Sequence, residues 1–173
     1  MAWLIGLIAA IGIGSALFHV FATTWARVLD LVPILAFQLG YLWIYFRRVV
    51  FLRSSYSALA VASLLITSLA GQALLQNGAR SLTYLPALIS LLCLGAYHCY
   101  HHQREPLTLT VAAGVFAVAL ILRTLDGAVC PFFPAGTHFV WHLLTAAGLY
   151  LLFRGLAANW RSQPESRYVD RVS

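Results

Sequence analysis

The chain has 173 residues, of which 61% are hydrophobic and only 9% charged. An ordinary soluble domain carries about 25% charged residues, so the composition excludes a soluble globular fold. The net charge of +6 comes from arginine alone, since lysine is absent, and the arginines are scattered among loops rather than gathered into the basic stripe that nucleic-acid binding requires.

Apolar runs of about 20 residues, the length of a membrane-crossing helix, follow one another along the sequence. Backbone in lipid must satisfy its own hydrogen bonds, so each run is expected to be helical. The predicted fold is therefore all-α, a polytopic membrane bundle of six transmembrane helices at 2–22, 29–46, 56–75, 82–100, 107–123 and 136–153. The first run lacks a basic flank and a small-residue cleavage site before a polar mature sequence, which reads as a helix rather than a cleaved signal. Short polar connections are expected at 23–27, 47–55, 76–80 and 101–106. The last loop, 124–135, is the longest and contains Pro131 and Pro134. No polar linker divides the chain, which gives one transmembrane domain, 1–158, and a polar tail, 159–173, expected to be frayed.

Six spans put both ends on one side. That side holds Arg47, Arg48, Arg53, Arg104, Arg154, Arg161, Arg167 and Arg171, and the other holds Arg27, Arg80 and Arg123. Eight against three places both termini in the cytoplasm by the positive-inside rule. The arginine-only, alanine- and leucine-rich composition points to a bacterium, and hence to a multi-pass inner-membrane protein. Small residues on the spans (Gly6, Gly12, Gly14, Ser15, Ser57, Gly71, Gly95, Gly148) are expected to permit close helix packing. Cys93 and Cys99 read as buried small hydrophobes, and Cys130 as a loop cysteine, free or paired.

Ionisable groups are rare inside membrane segments and mark function when present. His19 closes the first span, Asp30 opens the second, and His138 and His142 open the sixth, all at one membrane depth. His138 and His142, like Ser15 and His19, are i, i+4 pairs that share a helix face. Two imidazoles at that spacing can bind one zinc ion; with His19 and a water they complete an open tetrahedral site. Zinc lowers the pKa of the water it binds to about 7. The residues between the pair are Phe139, Val140 and Trp141, so a general base must come from another helix, and Asp30 is the nearest candidate. Ser15 is placed to donate to a developing oxyanion.

Each residue also has a plainer reading. His19 can be an interfacial histidine bonded to a carbonyl, Ser15 a packing residue, and Asp30 a helix N-cap. Arg123 and Asp126 are spaced for an i, i+3 ion pair that clamps the last loop. His98, His101 and His102 read as interfacial residues of the opposite end. Trp141 is placed to pack beside a substrate chain.

Two stretches carry a resemblance. Gly12-Ile13-Gly14-Ser15-Ala16-Leu17-Phe18-His19, followed by Asp30-Leu31-Val32-Pro33-Ile34, resembles the first half of the alkaline ceramidase signature. Arg123-Thr124-Leu125-Asp126, then Cys130, then Pro134-Ala135-Gly136-Thr137-His138-Phe139-Val140-Trp141-His142 resembles its second half. The chain is similar over nearly its whole length to bacterial ceramidase-like proteins. These fall within the hydrolase-like superfamily that includes the progestin and adipoQ receptors. The resemblance implies zinc held by His19, His138 and His142, catalytic roles for Asp30 and Ser15, and hydrolysis of the amide bond of ceramide or a related lipid amide to a sphingoid base and a fatty acid. The family has seven helices with the serine–histidine motif on the second, and here the motif is on the first. The expectation is a seven-helix fold lacking its first helix, and with it the acidic, tryptophan-bearing stretch that binds calcium in eukaryotic members. The implied partners are the lipid amide, membrane lipids, and a second copy or a partner helix in place of that span. A lipid-binding receptor or sensor on the same zinc scaffold, or an inactive member, are the alternatives.

Overall fold

A computed structural model describes residues 1–74, 80–134 and 136–160. The described residues contain six long helices and no strand: α1 (Ala2–Phe21), α2 (Thr24–Tyr45), α3 (Ser54–Leu74), α4 (Leu85–Tyr100), α5 (Thr108–Val129) and α6 (His138–Ala158). A π-helical turn, Phe46–Val50, prolongs α2, and a 3₁₀ turn, Arg80–Tyr84, leads into α4. All six helices are long and apolar enough to cross a membrane. The chain is a multi-pass membrane protein in which large apolar side chains such as Leu59, Ile66, Ile89, Val118 and Ile121 face outward. In lipid that outward face costs nothing, and the core combines aliphatic residues such as Leu4, Leu109 and Leu156 with the aromatic rings of Phe37, Tyr41 and Tyr45.

The helices pair most extensively as two hairpins, α1 with α2 and α5 with α6, with α4 packed on α5. Ala22, in the left-handed region at φ 50°, ends α1, and its N–H bonds to the Phe18 carbonyl. Only Ala22 and Thr23 then separate α1 from α2. The hairpin is tight because Gly14 lies on the backbone of α2, where a Cβ would strike the Leu29 carbonyl. Gly40 likewise receives the Trp3 ring, and Gly95 the Thr110 backbone. Gly6, Gly12 and Gly148 meet nothing at that distance, which corrects the expectation that every small residue marks a helix contact.

Three boundaries differ markedly from those read in the sequence, the others by no more than about one helical turn. α2 begins at Thr24 rather than 29, because Ala26 packs fully buried and draws the polar first turn into the helix. Asp30 therefore lies nearly two turns inside α2. The N-cap position is Thr23, so the capping reading of Asp30 falls. α5 runs to Val129 rather than 123, which shortens the last loop to 130–137. α6 ends at Ala158 rather than 153. Cys93 is exposed and Cys99 half-buried, not core residues, and all three cysteines are free. The tail from Arg161, with Arg167 and Arg171, and the connection at 75–79 lie outside the described residues.

The end of the bundle remote from His19 is sealed by a buried polar network. His98 is fully buried rather than interfacial. Its Nε2 donates to the Arg104 carbonyl at 3.0 Å, which fixes the tautomer in which Nδ1 accepts from the Tyr45 hydroxyl at 2.8 Å. Asn159, expected in the tail, is buried and bonds Arg104 through both amide atoms. Glu105 and Arg154 form a bidentate ion pair beside it at 2.8 and 2.9 Å. The guanidinium holds the Glu105 carboxyl below the usual glutamate range. These contacts tie α2, α4 and α6 to one connection.

Candidate metal centre

The chain brings His19, His138 and His142 together at the opposite end of the bundle. One ring nitrogen from each lies within 4.8 Å of the other two. The ring centroids are 5.4 Å apart for His19 and His138, 4.9 Å for His19 and His142, and 4.8 Å for His138 and His142. Tetrahedral bonds of 2.0–2.1 Å would set the nitrogens about 3.4 Å apart, a small closing movement from this arrangement. His138 is the first residue of α6 and His142 lies one turn deeper, so both point to the same side. His19 comes from the last turn of α1. The first and last helices pack little against each other elsewhere, and the three rings are where they meet.

Two observations fit these rings to a metal ion. His19 Nδ1 lies 2.8 Å from the Ser15 carbonyl, the acceptor that holds the proton on Nδ1 and leaves Nε2 as a lone-pair donor. His142 Nε2 is buried without a hydrogen-bond partner, and such an orphaned nitrogen is costly unless something fills the space between the rings. An all-imidazole set suits zinc and other late first-row metals. Asp30 is not in this cluster. Its half-buried carboxylate faces the Ser15 hydroxyl and lies within electrostatic reach of His19, His138 and Arg123. All five residues expected at the site therefore gather at one end of the bundle.

The sequence reading did not foresee how His138 is held. Asp126 does not pair with Arg123. Its Oδ1 accepts the backbone N–H groups of Thr137 at 2.6 Å and His138 at 2.9 Å, and so caps the α6 N-terminus, where a carboxylate is favoured. Gly136, at φ 61°, lies so close to Asp126 that a Cβ would overlap the carboxylate. The Thr137 hydroxyl adds a bond to the Leu122 carbonyl at 2.6 Å. Arg123 instead lies over two rings, 5.0 Å from the Trp141 centroid and 5.4 Å from that of Tyr84. The only sequence signal for the cap was an acidic residue upstream of a helix start.

No protein-family model, curated protein or solved structure matches the chain.

Two spaces open on the same bundle; none of the three histidines lines either, and Asp30 lines one of them. A polar cleft is lined by Arg27, Asp30, Gln38, Gln72 and Arg123 among others. Behind it an apolar cavity of about 110 Å³ runs down the bundle between Ile11, Phe37, Tyr41, Leu94, Phe116, Trp141 and Leu152. Ile34, Gln38, Tyr84 and Ala87 wall both spaces. Trp141, 5% exposed, stands between two of the histidines in sequence and forms part of the cavity wall.

Proposed function

We propose that the chain is an intramembrane, zinc-dependent amidase of the ceramidase type that hydrolyses the amide bond of a lipid amide. The observation that carries this reading is the convergence of His19, His138 and His142 within electrostatic reach of Asp30, a half-buried aspartate that does not cap its helix and lines the polar cleft. A pure lipid binder has no need of the aspartate. Zinc, when bound, would polarise the amide carbonyl and make water acidic enough to lose a proton near neutral pH.

The residues of the chain supply the rest. The apolar cavity takes the acyl chain, and Trp141 sets its upper end. Asp30 accepts the proton of the attacking water and returns a proton to the amine nitrogen as the carbon–nitrogen bond breaks, giving a fatty acid and a free amine. Ser15, facing Asp30, holds the carboxylate toward the reacting water. The resemblance to alkaline ceramidases through Ser15, His19, Asp30, His138 and His142 supports ceramide or a related lipid amide as the substrate.

Release of fatty acid from such amides by the purified protein tests the reading, and Gly148 tests where the chain lies. Gly148 is buried on α6, lines the apolar cavity, and has open space where a side chain would go. Gly148→Leu is expected to fold and to shift preference to shorter acyl chains. A burial energy of about 0.8 kcal/mol per methylene gives roughly fourfold per carbon excluded. An unchanged chain-length profile would remove the acyl chain from this cavity.

The arginine distribution supports cytoplasmic termini, which puts the site toward the periplasmic face of a bacterial inner membrane. Cys130, exposed in the last loop, is expected to react with an impermeant maleimide on intact cells. A cysteine at position 55, introduced by Ser55→Cys in a Cys130→Ser background, is expected to be protected. The reverse pattern would invert the topology.

A further inference from the structure

We propose that the polar cleft recognises an anionic group on the amine side of the scissile amide, so that the preferred substrate is an acidic lipid amide such as an N-acyl amino acid rather than a neutral one. The inference rests on the amidase reading for its substrate, and on separate residues for its charge.

The charged residues lining the cleft are Arg27, Arg123 and Asp30. Two positive charges against one negative leave the cleft cationic before any metal ion adds to it. Among the described residues the ion pair formed is Arg154 with Glu105, at the other end of the bundle, so neither cleft arginine is paired to a carboxylate. Arg123 is half-buried, with its guanidinium carbon over the rings of Trp141 and Tyr84. Cation–π contact of this kind leaves the N–H edge to engage a ligand, and that edge matches a carboxylate in bidentate geometry. No hydrogen bond within the described residues uses it. An unpaired arginine at this depth is costly unless it serves a ligand or a water-filled path.

The direction of the substrate assigns the charge to the amine side. On the amidase reading the apolar cavity takes the acyl chain and the amide carbon is attacked beside Asp30, which lines the cleft. What remains of the substrate, the amine portion, projects into the cleft beside Arg27 and Arg123. A head group bearing only hydroxyls would leave the two guanidinium groups with the single carboxylate of Asp30 between them.

The test compares N-oleoylglycine with N-oleoylethanolamine, which share a chain and an amide and differ in the acid. Equilibrium binding in nonionic detergent and hydrolysis are both measured, for the parent protein and for Arg27→Gln and Arg123→Gln. The parent is expected to bind the glycine amide about tenfold tighter or more, the size of a charge-assisted contact. Each variant is expected to lose that preference and keep its affinity for the neutral amide. Arg27 is exposed, so its variant reports even if Arg123→Gln fails to fold. Equal binding of the two amides by the parent would overturn the proposal, as would a preference retained in both variants. Phosphatidylglycerol displacing the glycine amide as well as the amide displaces itself would also overturn it, by reducing the cleft to a general lipid-phosphate surface. A zinc-loaded protein that prefers the glycine amide yet cleaves neither compound would sink the amidase reading and leave this proposal standing.

Discussion

Metal analysis of the purified protein is expected to find one zinc ion per chain, and His142→Ala to abolish it. Three imidazoles from two helices offer nitrogens within 4.8 Å of one another. The buried His142 Nε2 has no other partner. Changing a residue that merely supports a metal ligand costs about 10–100-fold in affinity, and deleting the ligand itself should cost more. Binding should also be visible as stability, because an ion held by the three histidines would join α1 to α6 where those helices otherwise pack little. A metal present at 100 times its dissociation constant stabilises the folded state by about 2.7 kcal/mol. Adding zinc to chelator-treated protein is therefore expected to raise the melting temperature of the parent and leave that of His142→Ala unchanged. Parent protein with no more zinc than a His19→Ala, His138→Ala, His142→Ala triple variant would remove the metal from the proposal.

The second large effect is expected at Asp30. Asp30→Asn should bind zinc as the parent does and lose about 10²–10⁴ in the rate of amide hydrolysis, the usual cost of a missing general base. The substitution is a clean probe because the residue does not cap α2, whose N-cap position is Thr23. Asparagine keeps the shape and the contact with Ser15 but cannot take a proton from water. A parental rate in Asp30→Asn would end the assignment of Asp30 as the base, and altered zinc content would mean that it acts through the metal site instead.

The membrane class, the six spans and the gathering of Ser15, His19, Asp30, His138 and His142 were legible in the sequence. Each follows from a one-dimensional quantity, run length or distance from a span end. Helix ends were not legible where polar residues continue a helix into the interface. Thr24-Trp25-Ala26-Arg27 and Thr124-Leu125-Asp126 looked like loops by composition and are helical because Ala26 is packed and Asp126 is engaged. Partner choice was equally hidden. Arg123 and Asp126 have the spacing of an ion pair, but Asp126 finds two backbone N–H groups and Arg123 two aromatic faces, and neither arrangement leaves a mark in local spacing. His98 read as interfacial because its partners, Tyr45 and Arg104, come from other parts of the chain.

The bonds of Asp126 divide the last loop into two parts with different freedom to change. Thr137 and His138 are bonded to α5 and Gly136 packs against Asp126, so a single inserted residue there would turn His138 away from the other two rings. From Pro131 to Pro134 the chain is exposed, with Phe132 91% accessible, and no side chain there reaches the histidines. Substitution and insertion can therefore accumulate in the upstream half while the downstream half stays fixed. The upstream half is also the place where a reporter, an epitope or a binding protein can be attached without touching the chemistry.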